Sequence, residues 1–458
     1  MTARGGEAST VPRRGESVET KLLRIAEKAR REPKFQFTSL FHLMNEELLR
    51  GCFAELRKDA AAGIDGETKA MYAVGLEDRL TELVERLQRM AYIPKPVRRR
   101  YIPKPGTGKL RPLGVPTLEG KLVEAGLVRI LEAIYEKDFI DDSYGFRPGR
   151  SCHDALRALS HTVEKGCINW IVEADIKGFF DNVSHDWLVK FLAHRIGDKR
   201  VLRMIKRFLK AGVIEEGRVE VSDLGTPQGG VASPLLANVY LHYVLDLWFE
   251  KRFRRSCTGT ARLIRYCDDF VVCFEREADA KRFRAELIKR LVQFSLSVEP
   301  SKTKILAFGP RAVAWARRQG LRKPETFDFL GFTHYCSRSQ TGHRFRMKRV
   351  TARKRFRAKL AEFRAWLRAV RSTLSTRELW MAACVKLRGH YAYYGVTDNW
   401  PGIARFAHSA RKLLLKWLNR RGGQRRLNWD KFVLMERRFP LPVPRVTVNL
   451  LPSWGKVL

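Results

Sequence analysis

Acidic residues are the scarce class in this chain: 49 Asp and Glu stand against 88 Lys and Arg, a formal net charge of +39 over 458 residues. The excess is spread along most of the sequence and is not confined to one tail. A field of that sign concentrates phosphates and gives salt-dependent affinity through counterion release, so it points to a nucleic acid partner. An anionic membrane surface is the blander alternative. Long hydrophobic runs are missing too. No stretch of about 18 apolar residues occurs, which argues against a membrane-spanning helix. No N-terminal segment couples a basic flank to an apolar run of roughly seven to fifteen residues, which argues against a secretory signal. The expectation is a soluble, cytoplasmic protein with no membrane partner. The eight cysteines, at positions 52, 152, 167, 257, 267, 273, 336 and 384, form no C-x-x-C pair. They read as reduced thiols, not as a structural zinc site.

What is present suffices for folding: 45% of residues are hydrophobic and 10% aromatic, too rich for a disordered chain. At a soft prior of roughly 150 residues per domain, about three structural units are expected. Residues 1–17 lack periodicity and read as a mobile leader, and the pattern turns helical from Val18 to Lys58. Residues 92–118 read as two short strands around a basic loop stiffened by Gly and Pro. Asn169 to Asp175 reads as a buried strand, and Ser184 as the N-cap of the helix carrying Trp187, Leu188, Phe191 and Leu192. Leu263 to Phe274 reads as strand, tight turn, strand, with the turn at Cys267-Asp268-Asp269.

Composition shifts after Arg344. Residues 344–371 hold twelve Lys or Arg and one acid, Glu362. Phe356, Leu360, Phe363, Leu367 and Val370 recur at helical spacing, while Arg353, Arg357, Arg364, Arg368 and Arg371 form a stripe beside them. The stripe suits a phosphate backbone; a solvated helix face explains the same charges. Further helices are expected from Thr376 to about Tyr394 and from Ile403 to Asn419, followed by a Pro-punctuated end.

Chemistry concentrates in two carboxylate clusters about 90 residues apart, Glu173-Ala174-Asp175 with Asp181, and Asp268-Asp269, each at the end of an apolar strand. Adjacent acids repel unless cations neutralise them. Oxygen ligands of this kind suit Mg²⁺, and two such ions can activate a primer 3′-hydroxyl and stabilise leaving pyrophosphate. Solvated Asp-Asp pairs are common, so each pair alone decides little.

The surroundings carry more. Tyr266-Cys267-Asp268-Asp269-Phe270 resembles the tyrosine-x-Asp-Asp turn of reverse transcriptases, and Ala174-Asp175-Ile176-Lys177-Gly178-Phe179-Phe180-Asp181 resembles its companion motif. Between them, Gly225 to Asn238 is similar to the nucleotide-side loop of that family. The resemblance extends to Ala62-Gly63-Ile64-Asp65-Gly66, Arg111 to Thr117, Tyr144-Gly145-Phe146-Arg147-Pro148, Ser301-Lys302-Thr303-Lys304 and Phe327 to Phe332. From roughly residue 35 onward the chain resembles the bacterial group II intron reverse transcriptases, also called maturases.

The resemblance implies an α+β right-hand polymerase, with fingers and palm over 18–340, a helical thumb over 341–372 and a mostly helical, maturase-like RNA-binding domain over 373–458. It implies Asp175, Asp268 and Asp269 as catalytic acids, with the backbone carbonyl of Ile176 joining the shell of two Mg²⁺ ions. Lys104, Lys109 and Arg111 would hold the incoming deoxynucleoside triphosphate, and Gln228 would line its pocket. Lys302 would sit near the pyrophosphate, and Phe180 would exclude a ribose 2′-hydroxyl. Phe180 also fits ordinary core. Phe327 to Phe332 resembles the primer grip, and Arg388-Gly389-His390-Tyr391-Ala392-Tyr393-Tyr394-Gly395 the segment that binds intron RNA; aromatics packed in a helix core explain the latter equally well.

The partners implied are an RNA template, a DNA primer and structured intron RNA; the oligomeric state is left open. After about Pro444 nothing resembles a DNA-binding or Cys/His-rich endonuclease segment, and Glu119-Gly120-Lys121 and Cys267 depart from the usual family residues. Two other functions fit the same residues, a domesticated relative serving DNA repair or phage defence and a non-enzymatic RNA-binding maturase. The intact acids argue against the second.

Overall fold

The computed structural model describes residues 16–103, 110–215, 218–220, 223–226, 229–339, 342, 344–421 and 427–451. The leader up to residue 15, Lys104, Lys109, Gln228 and residues 422–426, which include Arg425 and Arg426, lie outside the described residues. Strands, in chain order, are β1 (Val97–Pro103), β2 (Leu110–Val115), β3 (Trp170–Asp175), β4 (Val213–Glu215), β5 (Arg218–Glu220), β6 (Ala261–Tyr266), β7 (Asp269–Phe274), β8 (Lys304–Ala307), β9 (Phe327–Phe329), β10 (Phe332–Arg338) and β11 (Phe345–Thr351). Helices are α1 (Val18–Arg31), α2 (Glu46–Glu55), α3 (Lys69–Tyr72), α4 (Leu76–Gln88), α5 (Leu118–Asp138), α6 (Cys152–Lys165), α7 (Phe179–Asn182), α8 (His185–Ala193), α9 (Lys199–Lys210) and α10 (Ser233–Leu241). After them come α11 (Glu277–Gln293), α12 (Ala312–Arg318), α13 (Arg353–Val370), α14 (Thr376–Tyr394), α15 (Trp400–Leu418) and α16 (Trp429–Arg438).

The chain divides into two compact units, one of residues 1–100, 113–139 and 180–240, the other of 101–112, 140–179 and 241–458. In the first, α1 and α2 pack along α5, whose 21 residues bury Leu122, Val123, Leu127, Ile130, Leu131, Ile134 and Tyr135. Arg195 closes the end of α1: only 2% exposed, it pairs with Asp138 and donates to the carbonyls of Ala29, Glu32 and Phe35. Helix-end carbonyls need such donors because no further turn satisfies them. Ser184 caps α8 through the amide of Trp187, as its sequence position predicts. Val97 of β1 pairs in parallel with Val213 of β4, and β4 turns back antiparallel into β5.

The second unit is built on a four-stranded sheet of order β6-β7-β3-β8, with α6 against β6 and α11 against β3 and β7. Its strands read as continuous apolar runs because both faces are covered: Ile171, Val172, Val271, Val272, Leu263 and Ile264 are at most 1% exposed. A second sheet, β11-β10-β9, leads into α13. One hydrophobic core runs from Ile171 and Ile264 through Phe332 and Met347 to Leu367, Leu387, Phe406 and Phe432.

That shared core crosses the expected boundaries at 340 and 372. Among the described residues, the helices after 372 bury apolar surface in the same core as the sheet that holds the acids. The thumb helix starts later than expected as well, at Arg353, because Phe345–Thr351 pairs with β10 along its whole length. Among the described residues no helix is long and apolar enough to cross a membrane.

Candidate active site

All three expected acids stand at one end of the four-stranded sheet. β3 and β7 run antiparallel with Asp175 directly opposite Asp269, and Tyr266 of β6 opposes Asp269 from the other side. Cross-strand partners in such a ladder lie roughly 4.5–5.5 Å apart, so the register alone brings two carboxyl groups together. The connection between β6 and β7 is the two-residue turn Cys267–Asp268, with Cys267 at φ 57. A left-handed non-glycine residue costs about 1 kcal/mol or more and persists only where the surroundings impose it. Here they do. The guanidinium of Arg265, wholly buried and paired with Asp246 at 2.6–2.7 Å, donates to the Cys267 carbonyl at 3.0 Å. A Cβ at Gly145 would collide with the Cys267 backbone, so the Tyr144–Pro148 segment passes the turn only because position 145 is glycine.

Electrostatics at this point are unfavourable on their own. Asp268 is shifted upward by burial, with the Asp175 charge adding to the shift and Arg111 opposing it. Asp269 is exposed and opens onto the adjoining cavity. Desolvation, then Asp268, then Asp175 and Glu173 push its carboxyl up to about 7, against one bond from the Leu330 amide. Glu173, on the same face of β3 as Asp175, rises to about 7 through desolvation and the nearby Asp328. The donor set is entirely oxygen, negative and crowded, which fits a hard divalent cation. Ile176 is 3% exposed, so only its backbone is available for such a role.

Basic side chains answer part of this charge. Lys302, in the turn Pro300–Lys302, donates to the Asp175 carboxylate, and that bond raises its own pKa. Lys302 therefore meets an acid directly. Arg111 is exposed on β2, close enough to influence Asp268. Phe180 belongs to the other unit; it is half-buried, and its carbonyl accepts the Thr226 amide at 2.8 Å.

The Phe327–Phe332 segment forms a hairpin with Leu330 and Gly331 both at positive φ. Its tip reaches the acids through a hydrogen bond that the Leu330 backbone N–H donates to the Asp269 carboxylate. Tyr393 fixes the tip by donating to the Leu330 carbonyl at 2.9 Å. Beside it lies a cavity of about 650 Å³ walled by Asp269, Gly331, Arg355, Lys359, Lys386 and His390 among others. Sequence reasoning placed His390 and Tyr393 in a separate RNA-binding segment, but they belong to this wall. The missed signal was their helical spacing from the buried Leu387, Tyr391 and Tyr394.

Tyr391 requires a correction. It is 6% exposed, and its ring packs in the shared core, so it is not available to stack on bases. His390 likewise stacks on Phe406 at 3.6 Å between ring centres, and burial holds its imidazole down at about 4. Arg388 alone of the expected RNA-binding pair is exposed. Of the α13 stripe, Arg353, Arg357, Arg364 and Arg368 are exposed, while Arg371 is half-buried over the Trp417 ring.

Comparison with known proteins agrees with the geometry. Residues 102–334, just over half of the chain, match the family described as "Reverse transcriptase (RNA-dependent DNA polymerase)". The "Group II intron-encoded protein LtrA" of Lactococcus lactis subsp. cremoris is 32% identical over 341 residues, covering 62% of this chain and 57% of LtrA. "Protein YkfC" of Escherichia coli is 39% identical over 209 residues, covering 44% of this chain and 53% of YkfC. The "Uncharacterized 91 kDa protein in cob intron" of Schizosaccharomyces pombe is 44% identical over 173 residues, 38% of this chain and 21% of that protein. This chain thus spans little more than half the length of its first relatives. With both acid-bearing strands and the turn between them inside the matched segment, the chain belongs to the reverse transcriptase family.

Proposed function

We propose that this chain is the RNA-directed DNA polymerase of a group II intron, extending a DNA primer on an RNA template and also holding the folded intron RNA for splicing and retrohoming. The observation that carries the reading is the register of Asp175 against Asp269 with Asp268 in the turn beside them: three acids forced together at the end of a buried sheet, in a chain of net charge +39. Reverse transcriptases use divalent metal ions; we assign Asp175, Asp268, Asp269 and the Ile176 carbonyl to two Mg²⁺ ions, which when bound would supply activation of the primer hydroxyl and charge for the leaving pyrophosphate.

The remaining roles belong to the chain's own side chains. Lys302, resting on Asp175, is placed to exchange that carboxylate for a phosphate oxygen. Arg111, with Lys104 and Lys109, grips the deoxynucleoside triphosphate; Gln228 lines its pocket, and the Phe180 ring excludes a 2′-hydroxyl. Leu330 and Gly331 support the primer end, because their hairpin is bonded to Asp269 itself. Arg353, Arg357, Arg364, Arg368 and Arg371, with Arg388, meet RNA phosphates without reading bases.

Asp268→Asn tests the assignment. It keeps the shape of the turn and removes one charge, so primer extension should fall by about 10³-fold or more while RNA affinity moves less than about twofold. Near wild-type extension by this variant would sink the metal assignment.

A further inference from the structure

Behind the turn that carries Asp268, on the sheet face away from the cavity, sits a wholly buried ion pair. Tyr266 and Asp269 oppose each other across β6 and β7 and so share one face, and both line the cavity of about 650 Å³. Side chains alternate along a strand, so Arg265 projects from the other face. The side chains of Arg265 and Asp246 are 0% exposed. Arg265 Nε and Nη2 meet the two Asp246 carboxylate oxygens at 2.7 and 2.6 Å. Nη2 also donates to Ser143 Oγ at 2.8 Å, and Nη1 to the Cys267 carbonyl at 3.0 Å. One guanidinium thus ties three segments together.

Local structure on both sides is shaped to make that contact. Asp246 closes a π-helical turn, His242–Asp246, in which the Leu247 amide donates to the His242 carbonyl; such turns are rare and concentrate at functional sites. His242 lies 3.8 Å from the same carboxylate. Opposite, the Arg265 amide donates to the Asp142 carbonyl and the Arg265 carbonyl accepts the Tyr144 amide, each at 2.9 Å. Stability is a poor reason for the arrangement. Desolvation offsets much of what two buried charges gain from their attraction, and well-packed apolar residues of similar volume often stabilise as much. What an apolar pair cannot do is hold a carbonyl. The peptide joining Cys267 to Asp268 is planar, so the bond that fixes the Cys267 carbonyl fixes the peptide from which Asp268 departs. Cys267 itself is at φ 57, where a non-glycine residue needs its surroundings to keep it.

We infer that Asp246 and Arg265 are positioning residues: they act through the Cys267 carbonyl to hold Asp268 beside Asp175 and Asp269, and so set how tightly the three acids bind divalent cations. Neither touches substrate. The inference rests on the metal assignment proposed above and adds to it the pair that holds the turn in place.

The test uses the 458-residue chain without nucleic acid or nucleotide, Mn²⁺ as the probe, and electron paramagnetic resonance to measure bound against free ion. Asp246→Leu combined with Arg265→Met fills the site with apolar volume. This double variant should melt within about 4 °C of wild type yet bind Mn²⁺ about tenfold more weakly. In primer extension the Mg²⁺ concentration for half-maximal rate should rise by about the same factor, while KM for the deoxynucleotide moves less than about twofold. Arg265→Lys keeps a charge beside Asp246, but an ammonium cannot present a planar fork to Asp246, Ser143 and Cys267 together. It should weaken Mn²⁺ binding to a similar extent. Arg195→Met breaks a different buried pair, that with Asp138, and should lower the melting midpoint with Mn²⁺ affinity unchanged. Wild-type Mn²⁺ affinity in the double variant, or in Arg265→Lys where the double variant melts early, overturns the assignment, and so does an equal loss in Arg195→Met. Asp268→Asn separates this inference from the reading beneath it. If that variant alone loses Mn²⁺, the metal assignment stands and the positioning role falls; if it binds Mn²⁺ as wild type does, the metal assignment itself falls.

Discussion

The turn at Cys267–Asp269 and the last turns of α14 are both crowded with side chains that suggest function, and their energetics run in opposite directions. At the turn, desolvation and mutual repulsion raise the carboxyls of Asp268 and Asp269, so each acid would be more comfortable without the others. Along α14, Tyr391 and Tyr394 bury apolar surface and His390 stacks flat on Phe406, so each ring gains from its neighbours. A cluster that loses stability by assembling calls for a ligand to offset the loss; a cluster that gains by packing has its explanation already. Membership in a motif does not separate the two cases, but the sign of the energy does.

Mutating each cluster should expose that sign. Asp268→Asn, expected to lose extension, should leave the metal-free thermal midpoint unchanged or raised, because it removes a desolvated charge. Tyr391→Ala should do the reverse. It opens a hole in the shared core and should cost about 3 kcal/mol of stability, with the folded fraction still extending primers. Arg388→Ala, exposed on the same helix, should change stability by less than about 0.5 kcal/mol. Thermal melts and primer extension on the three proteins are sufficient, and a Tyr391→Ala variant as stable as wild type would contradict the packing account.

Glu124 offers an intermediate case in the other unit. It is 5% exposed and accepts the Ala232 amide at 2.9 Å, and burial pushes its carboxyl from about 4.5 up to about 7. The protonated acid is thus the form the fold prefers. Its contribution is fully present below about pH 4.5 and is lost as pH rises through about 7, a change of up to about 3 kcal/mol. Glu124→Gln does not titrate, so its stability relative to wild type should climb between pH 5 and 8. Parallel stability curves for the two proteins over that range would show that Glu124 is not held neutral.

A smaller effect is expected at Phe180, whose half-buried ring is proposed above to exclude a 2′-hydroxyl. Phe180→Ala should lower discrimination against ribonucleotides by about tenfold, read as the ratio of kcat/KM for the two sugar types. Unaltered discrimination would return Phe180 to the role of core residue.

The contrast also explains what could be read from sequence. The acid-bearing strands were legible because apolar runs ending in acids, with a tight turn between β6 and β7, leave few other arrangements. The N-cap at Ser184 was legible because capping is local chemistry. The late start of α13 was hidden, since Phe345–Thr351 carries the same basic composition as the helix and only its pairing with β10 makes it strand. The burial of Tyr391 was hidden for a related reason: an Arg-aromatic motif looks the same whether its rings face RNA or a neighbouring helix, and α15 decides.

If the crowded acids at the end of the four-stranded sheet hold the metal ions for copying RNA into DNA, polymerisation must depend on both. The purified 458-residue chain, an RNA template, a DNA primer and one labelled deoxynucleotide test it directly, with Mg²⁺ titrated from zero. The expected result is no extension in chelator, incorporation of only the template-matched deoxynucleotide once Mg²⁺ is added, and loss of that signal in Asp268→Asn. Intact binding of the primed template with no incorporation at any Mg²⁺ concentration would contradict it.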